Sequence, residues 1–137
     1  MKKEKKTVQV AIGIIIKNGQ FLIARRMENV HLGGVWEFPG GKRLDHEKLK
    51  ECLQREIKEE VGVEVKVHRK IKCFTHQYSI GKISLHPYLC SIKTGIPKPM
   101  GCKEIRWVTP SHFKSFTFPP ANDLLIKELE KNSLRIN

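Results

Sequence analysis

A helical segment near the middle of the chain constrains the fold more than any other feature. Apolar residues recur there at steps of three and four, at Leu49, Cys52, Leu53, Ile57 and Val61. This spacing places them on one side of an α-helix. The sequence therefore predicts a helix from about residue 46 to 61, with Asp45 as its N-cap and Gly62 as the residue that ends it. Because such a helix must bury its apolar side, a second layer is required.

Strands are predicted before the helix. Residues 8–16, "VQVAIGIII", are apolar and β-branched, and Asn18-Gly19 then supplies a pair suited to a tight hairpin turn. "FLIARR" returns as the partner strand. "VHLGGVWEFPGGK", residues 30–42, reads as a loop because it contains four glycines and a proline.

Further strands and a last helix are predicted after the central helix. The strands cover residues 63–74, 82–92 and 104–108. Pro87 indicates that the second of these lies at an edge or contains a bulge. A final helix follows "FPPAN", with Leu124, Leu125 and Leu129 facing the core. This order of elements predicts a mixed α/β layered domain.

Length and composition indicate one ordinary globular domain. The chain has 137 residues, of which 39% are hydrophobic and 29% charged. We expect one domain over residues 1–137, with residues 1–6 as a disordered basic tail. No signal peptide and no apolar run long enough to span a membrane are visible, so a cytoplasmic location is expected, without a membrane partner. The spacing of the four cysteines favours buried free thiols over zinc ligands.

Negative charge is concentrated at the end of the predicted helix, although the chain carries a formal charge of +12. Glu56, Glu59 and Glu60 fall within an arc of about 100°, where like charges repel and the helix dipole disfavours anions. Arg55 and Lys58 are expected to project to other azimuths. The arrangement is explained by a bound hard cation such as Mg²⁺ or Mn²⁺, which carboxylate oxygens prefer. A solvated acidic face is the alternative.

The segment "GKRLDHEKLKECLQREIKEEVGV", residues 41–63, resembles the Nudix box G-x5-E-x7-R-E-U-x-E-E-x-G-U, in which U is a bulky aliphatic residue. It matches at every specified position: Gly41, Glu47, Arg55, Glu56, Ile57, Glu59, Glu60, Gly62 and Val63. "VAIGIII", "FLIARR", "WEFPGGK" and "FPPAN" extend the likeness over nearly the whole chain. Together these strings resemble the MutT branch of the Nudix superfamily.

The resemblance implies a fold and an activity. The fold is the Nudix fold, an α/β/α sandwich around a mixed β-sheet. The activity is metal-dependent hydrolysis of a nucleoside triphosphate to monophosphate and pyrophosphate, in which water attacks the β-phosphorus. Oxidised guanine nucleotides such as 8-oxo-dGTP would be preferred, which is a role in sanitising the nucleotide pool. The resemblance is also compatible with a monomer that needs no nucleic acid.

Two other functions remain open from the sequence. The chain could be a Nudix hydrolase of another nucleoside diphosphate derivative, such as a pyrimidine nucleotide, a dinucleoside polyphosphate or an RNA cap. It could also be a non-catalytic MutT-like domain that binds nucleic acid. The basic composition suits the second alternative, but clustered carboxylates would repel phosphate in the absence of a cation.

The resemblance also assigns roles to the box and its neighbours. Glu56, Glu59, Glu60 and the carbonyl of Gly40 match the metal ligands, with Mg²⁺ as the expected cation and Mn²⁺ as a substitute. Glu56 and Glu59 are the expected catalytic carboxylates. Arg55 is expected to orient one of them, with a plain surface pair between Arg55 and Glu47 as the alternative.

Substrate contacts are implied outside the helix, at Arg26, His31, Phe38, Gly41, Lys42, Tyr78 and Asn122. Arg26 and Lys42 are candidates for phosphate, and Gly41 would let the backbone approach it. Asn122 matches the asparagine that reads the base edge, with a helix N-cap as the alternative role. Phe38 and Tyr78 are candidates for packing against the base, and core packing is the alternative for each.

The chain departs from the family pattern at two positions. Many relatives carry a glutamate six residues before the tryptophan of "EIRWV", where this chain has Gly101. Glu104 lies three residues later and would point elsewhere, so Glu56 is the provisional proton acceptor. Gly81 occupies the position of an arginine found in some relatives, which weakens the expectation of oxidised-base selectivity.

Overall fold

The structure is a computed structural model that describes residues 7–30, 32–79, 81–131 and 134. Its strands are β1 (Thr7–Lys17), β2 (Gln20–Arg25), β3 (Trp36–Glu37), β4 (Gly40–Lys42), β5 (Glu64–Lys70), β6 (Phe74–Tyr78), β7 (Gly81–Thr94) and β8 (Glu104–Val108). Its α-helices are α1 (Leu49–Val61) and α2 (Asp123–Lys131), and two 3₁₀ helices cover Pro110–Ser115 and Pro120–Asn122. The predicted basic tail, residues 1–6, lies outside the described residues.

The eight strands of the described residues form one mixed sheet. Its main order is β3-β2-β1-β7-β5, while β4 pairs with β1, β6 with β7, and β8 with β2. β1 and β7 run parallel, and the other pairs are antiparallel. The predicted hairpin is confirmed, because Lys17 pairs with Gln20 and both Asn18 and Gly19 have positive φ.

Alternate residues of the strands form two cores, one on each face of the sheet. On one face, Ala11 and Ile15 of β1 pack against Leu53 and Ile57 of α1. On the other face, Ile12, Ile14 and Ile16 pack with Phe113, Leu125 and Leu129 of the C-terminal segment. The result is the expected α/β/α sandwich around a mixed sheet, with α1 and α2 on opposite faces.

The start of α1 differs from the prediction, while its end agrees. Asp45 is not the N-cap; the helix begins at Leu49 with Lys48 as N-cap, whose N–H donates to Glu51 Oε1 at 3.0 Å. Residues 44–48 instead form a turn around Glu47, whose carboxylate accepts the N–H of Leu44 at 2.9 Å. Gly62 is left-handed with φ 74°, as predicted, and its N–H donates to the carbonyl of Lys58.

Two strand predictions need correction on the β5–β7 side of the sheet. The strand predicted over residues 63–74 is divided, because β5 ends at Lys70 and β6 begins at Phe74. β7 is not an edge strand, although it contains Pro87. The Pro87 carbonyl accepts the N–H of Ile71 at 2.8 Å, so Pro87 faces the link between β5 and β6. Its missing N–H therefore falls where the β5–β6 ladder is interrupted. The register between β5 and β7 shifts at Glu64/Val65 and at Val67/Arg69, and neither shift lies at Pro87.

Other predictions have mixed outcomes. The predicted loop over residues 30–42 contains β3 and β4. Leu125 and Leu129 of α2 are buried as predicted, but Leu124 is 54% exposed. Cys52, Cys90 and Cys102 are buried free thiols, and Cys73 is an exposed one. Among the described residues, no helix combines the length and hydropathy needed to cross a bilayer.

Candidate active site

A cavity of about 440 Å³ opens where the last two turns of α1 face the β2–β4 side of the sheet. Its lining combines four carboxylates, two cations, three glycines and three less polar residues: Glu37, Glu56, Glu59, Glu60, Arg26, Lys42, Gly40, Gly41, Gly101, Met27, Val30 and Cys102. The three box glutamates therefore meet Arg26 and Lys42 in one cavity. Both signs of charge are present where a polyphosphate and a cation would have to meet.

The glycine pair brings strand β4 into close contact with α1 and β1. A Cβ on Gly41 would lie 2.4 Å from the Glu56 carboxyl carbon, and one on Gly40 would lie 2.1 Å from the Ala11 carbonyl oxygen. Gly40 also has φ 154°. A larger residue at either position would have to displace the carboxylate or the strand. The sequence string "PGG" is thus explained by close backbone approach at the cavity.

Arg55 organises the carboxylates beside the cavity. Its guanidinium donates to both oxygens of Glu47, at 3.0 and 2.6 Å, and to Glu56 Oε1 at 2.8 Å. It also lies 3.4 Å from Glu59 Oε2. The expectation that Arg55 projects away from the acids was wrong, because its long side chain reaches back across the helix. Nor is the pair a surface pair, since the Glu47 side chain is only 9% exposed.

The charges in this network stabilise one another. Hydrogen bonds from Arg55 and from the Leu44 N–H lower the pKa of Glu47 to about 2. Hydrogen bonds to Glu47 and Glu56 raise the pKa of Arg55 further above its ordinary value. The Arg55 guanidinium is therefore held by Glu47 in the turn before α1 and by Glu56 within the helix, and its position fixes the Glu56 side chain.

The loop of residues 95–101 covers the end of α1. The N–H groups of Met100 and Gly101 donate to the carbonyl of Glu60 at 3.1 and 2.9 Å, and that of Lys98 donates to Val61. Carbonyls at a helix end otherwise lack partners. A Cβ on Gly101 would approach the Glu59 carbonyl oxygen to 3.2 Å. Gly101, which stands where many relatives carry a glutamate, therefore packs closely against the helix that bears the carboxylates.

Glu60 and Glu37 form the least solvated acidic pair of the cavity. Burial raises the pKa of Glu60 to about 8, and the Glu37 and Glu56 carboxylates add to this, while the Gly40 N–H, 3.3 Å from Glu60 Oε2, opposes it. Burial also raises the pKa of Glu37, against the effect of Arg26, whose Nη1 lies 3.1 Å from a Glu37 oxygen. Without a cation, Glu60 therefore favours its protonated form at neutral pH, and a bound cation would favour the carboxylate.

Glu37 is a cavity residue that sequence reasoning missed. It lies in β3, opposite Ala24 of β2, and this pairing brings it beside Arg26. The string "WEFPGGK" gave no signal for this role, because the position of Glu37 depends on the pairing of β3 with β2. Cys102 was also missed as a lining residue. Burial raises the pKa of its thiol to about 11, with Glu60 and Glu37 adding to the effect, so it remains protonated.

The donor chemistry suits a hard divalent cation. Within the described ranges, no three His, Cys, Asp or Glu side chains are grouped closely enough to hold a metal ion as they stand. Glu56 and Glu59 accept hydrogen bonds from Arg55, and Glu60 accepts one from the Gly40 N–H, while the Glu59 side chain remains 62% exposed. Mg²⁺ typically takes one or two carboxylates and completes its shell with water and substrate phosphates. The residues therefore fit a cation that arrives with the substrate.

The predicted nucleoside-side residues lie away from this cavity. Phe38 is 3% exposed and stacks on Phe118 with ring centroids 5.4 Å apart, which is the core packing offered as its alternative. Tyr78 contacts His76 edge to face at 4.5 Å. Asn122 is 7% exposed, and its backbone N–H donates to the carbonyl of Pro119 at 2.9 Å. His31 lies outside the described residues.

Glu104, which lies three residues after Gly101, points away from the cavity as expected. Its carboxylate pairs with Arg25 at 3.1 Å and with Arg106 at 3.8 Å. It pairs in register with Arg25 at the end of β2. Glu104 is therefore absent from the cavity lining and does not replace the glutamate that relatives carry at the position of Gly101.

Sequence comparison places the chain in a family. Residues 11–128 match the model of the NUDIX domain. An 8-oxo-dGTP diphosphatase from Buchnera aphidicola subsp. Schizaphis graminum is 32% identical over 92% of this chain and 95% of its own length. One from Haemophilus influenzae is 35% identical over 92% and 93%. A CTP pyrophosphohydrolase from Escherichia coli is 28% identical over 89% and 90%. The chain belongs to the Nudix family.

Solved structures agree with this assignment. The fold is similar to that of the MutT protein from Methanosarcina mazei Go1, with a TM-score of 0.83, 24% identity, and coverage of 95% of this chain and 97% of that one. A MutT family Nudix hydrolase from methicillin-resistant Staphylococcus aureus 252 gives a TM-score of 0.74 with 30% identity over 93% and 98%. The protein is a Nudix pyrophosphohydrolase, a class that generally uses divalent metal ions.

Proposed function

We propose that the protein hydrolyses a nucleoside triphosphate to the monophosphate and pyrophosphate, with 8-oxo-dGTP as its preferred substrate. The observation that carries this proposal is the single cavity in which Glu56, Glu59 and Glu60 meet Arg26 and Lys42. Such a cavity suits a cation–polyphosphate complex, because phosphoryl transfer depends on positioning and charge neutralisation. Curated relatives named 8-oxo-dGTP diphosphatase support the substrate class.

The proposed cation is Mg²⁺, with Mn²⁺ as a substitute. Glu56, Glu59, Glu60 and the carbonyl of Gly40 would hold it. When bound, a divalent cation supplies charge neutralisation on the phosphates and lowers the pKa of water. The raised pKa of Glu60 supports the proposal, because a neighbouring positive charge would stabilise the ionised forms of Glu60 and Glu37.

Glu56 is the proposed proton acceptor for the attacking water. Arg55 donates to its Oε1 at 2.8 Å, while its carboxyl group closely approaches Gly41. One oxygen is therefore held in place and the other faces the glycine strand beside the cavity. This arrangement supports general-base action by Glu56, because the hydrogen bond from Arg55 holds its carboxylate in one orientation.

Arg26 and Lys42 are the proposed phosphate contacts. Both line the cavity, and Arg26 is directed by its ion pair with Glu37 at 3.1 Å. A guanidinium held in this way is pre-oriented for phosphate oxygens, which it can bind through two parallel hydrogen bonds. The proposal assigns Gly41 to the same region, where the absence of a side chain leaves room for the substrate.

Asn122 is the proposed reader of the base. The residue is 7% exposed and ends the 3₁₀ helix Pro120–Asn122, immediately before α2. The string "FPPAN" that contains it resembles the family pattern in which this asparagine reads the base. An amide both donates and accepts, as recognition of a base edge requires. Tyr78, His31 and Phe38 are the remaining proposed contacts on the nucleoside side.

Pyrophosphate release from 8-oxo-dGTP, dGTP and CTP, measured side by side with Mg²⁺, tests the proposal. We expect the highest kcat/KM for 8-oxo-dGTP, and E56Q should lower the activity by about 10²- to 10⁴-fold. CTP is included because a relative of similar length is named for it. This chain also has Gly81 at the position where some relatives carry an arginine. Preference for CTP or dGTP would reject the oxidised-base assignment, while no release from any substrate would reject hydrolysis of triphosphates.

We further propose that the protein works as a monomer in the cytoplasm, as one domain over residues 1–137. Size-exclusion chromatography with light scattering tests the first part. A mass near 15.8 kDa is expected, and a stable dimer at micromolar protein would contradict it.

A further inference from the structure

Positive charge outside the cavity is concentrated in one half of the sheet. Between Glu64 and Glu104 the sequence contains no aspartate or glutamate. The same stretch contains Lys66, Arg69, Lys70, Lys72, Lys82, Lys93, Lys98 and Lys103. It corresponds to β5, β6, β7 and the loop after them. Much of the net positive charge of the chain therefore lies in this stretch, and the nucleotide cavity does not account for it.

Five of these cations lie along the open edge of the sheet, and the strand register distributes their side chains over both of its faces. β5 is the terminal strand of the main sheet order. Lys66, Arg69 and Lys70 lie on β5, Lys72 follows it, and Lys93 lies on the adjacent part of β7, where Ile92 pairs with Val65. All five are exposed. We call these five residues the basic edge.

The basic edge has little local counter-charge. In the part of the chain that the structure describes, Lys66, Lys70 and Lys93 take part in no ion pair with an acid. The single acid of β5, Glu64, faces Lys58 of α1 at 3.9 Å instead. Lysines on an edge strand also prevent it from pairing with another strand. That role explains why lysines occur here, but it does not require the absence of acids over the whole stretch.

The chemistry of the basic edge fits a polyanion rather than a lipid surface. The large apolar side chains that are exposed in the described residues are Met27, Val30, Leu32, Leu44, Ile96, Met100 and Leu124, and none of them lies on β5, β6 or β7. Proteins that lie on membranes insert apolar side chains beside their cations. A row of exposed cations without such anchors can bind a phosphate backbone, where attraction is electrostatic and independent of sequence.

We infer that the basic edge binds the phosphodiester backbone of nucleic acid, outside the nucleotide cavity and without base recognition. No aromatic side chain is exposed on β5, so base stacking contributes nothing there. The interaction would keep the enzyme near nucleic acid while its cavity acts on free nucleotides. It does not depend on the proposed substrate.

Fluorescence anisotropy with labelled single-stranded DNA and RNA of mixed sequence tests this inference. EDTA is present throughout, so hydrolysis does not contribute to the signal. We expect binding that weakens as salt rises, with a slope of log K against log salt of about −0.7 for each phosphate contacted. The triple variant K66Q/K70Q/K93Q should make this slope shallower by about 2 and weaken binding at low salt at least about tenfold.

The matched control is K17Q/K114Q/K127Q, which removes the same charge from three exposed lysines elsewhere. It should retain the affinity of the unmodified protein. Equal losses in both triple variants would overturn the inference, since net charge alone would then explain binding. So would the absence of binding at low salt, or binding to phosphatidylserine vesicles without binding to the oligonucleotides.

Pyrophosphate release by both triple variants separates this inference from the proposed function. Neither variant changes a cavity residue, and we expect both to keep the hydrolysis rate of the unmodified protein. Loss of oligonucleotide binding with intact hydrolysis supports the basic edge alone. Intact oligonucleotide binding by K66Q/K70Q/K93Q would reject the basic edge and leave the proposed function untouched.

Discussion

The acidic cavity and the basic edge hold opposite charges in opposite ways. In the cavity each acid has a named partner: Glu56 and Glu59 bind Arg55, Glu60 accepts the Gly40 N–H, and Glu37 pairs with Arg26. At the basic edge, lysines such as Lys66 and Lys70 are exposed and form no ion pair with an acid among the described residues.

The difference shows what each region can do. Charges fixed by hydrogen bonds and partly removed from water act at a defined point, because their geometry is set before a ligand arrives. Exposed charges on flexible side chains attract a polyanion without fixing its position, and salt screens them. Substitutions should therefore have large effects in the cavity and small, salt-dependent effects at the basic edge.

The largest effect is expected at the box carboxylates. E56Q should lower kcat by about 10²- to 10⁴-fold, because the substitution removes the proposed proton acceptor. E59Q should also lower turnover by orders of magnitude through weaker cation binding. Steady-state kinetics at saturating Mg²⁺ measures both, with E130Q on α2 as the control. A near-normal rate in either variant would mean that its assigned role is wrong, provided that circular dichroism shows an intact fold.

The next effect concerns the Arg55 network. R55Q should lower activity by about 10- to 100-fold, since Arg55 acts through the carboxylate that it orients. It should also lower Tm, because Glu47 would lose its counter-charge at a side chain that is 9% exposed. The double variant E47Q/R55Q should be more stable than R55Q but no more active. If stability does not recover in the double variant, the two side chains are not energetically coupled.

A smaller effect is expected for the pH dependence of stability in the metal-free protein. The folded-state pKa of Glu60 is about 8, above its ordinary value of 4.5. Its contribution to stability is therefore complete below pH 4.5 and is lost as pH rises through 8. Thermal melts in EDTA should show this loss in the unmodified protein and not in E60Q. Added Mg²⁺ should restore stability at high pH, and identical pH profiles for the two proteins would rule out the buried carboxyl.

The smallest effect on catalysis is expected from K66Q/K70Q/K93Q. At physiological salt the Debye length is about 8 Å, so exposed charges outside the cavity attract a nucleotide only weakly. We expect kcat/KM to change by less than about twofold. K42Q, which removes a cation from the cavity lining, should change it more. A larger loss in the triple variant than in K42Q would show that the basic edge guides the substrate.

The sequence predicted best those features that depend on local periodicity and turn chemistry. The apolar positions of α1, the Asn18-Gly19 hairpin and the left-handed Gly62 follow from rules that involve neighbours within a few residues. The nine positions of the Nudix box predicted the family because their residue types and spacing are specific. The metal-site and substrate roles of individual residues stay predictions, which the experiments above address.

Features that depend on distant contacts were not predictable. Glu37 enters the cavity because β3 pairs with β2, and nothing within its own short segment specifies this partner. Arg55 reaches Glu47, Glu56 and Glu59 through side-chain length, which an azimuth counted at the backbone ignores. β5 and β6 separate at Ile71 because Pro87 of another strand offers only a carbonyl there. Each failure has a tertiary cause.

The contact between the loop of residues 95–101 and the end of α1 has a consequence for how related enzymes can diverge. Helix ends ordinarily fray, yet here the Glu60 carbonyl is engaged by Met100 and Gly101. Lengthening or shortening this surface segment would change the alignment of the carboxylates without altering any of them. Selection could thus tune turnover through a stretch of chain that contributes no reacting group but sets the position of the groups that react.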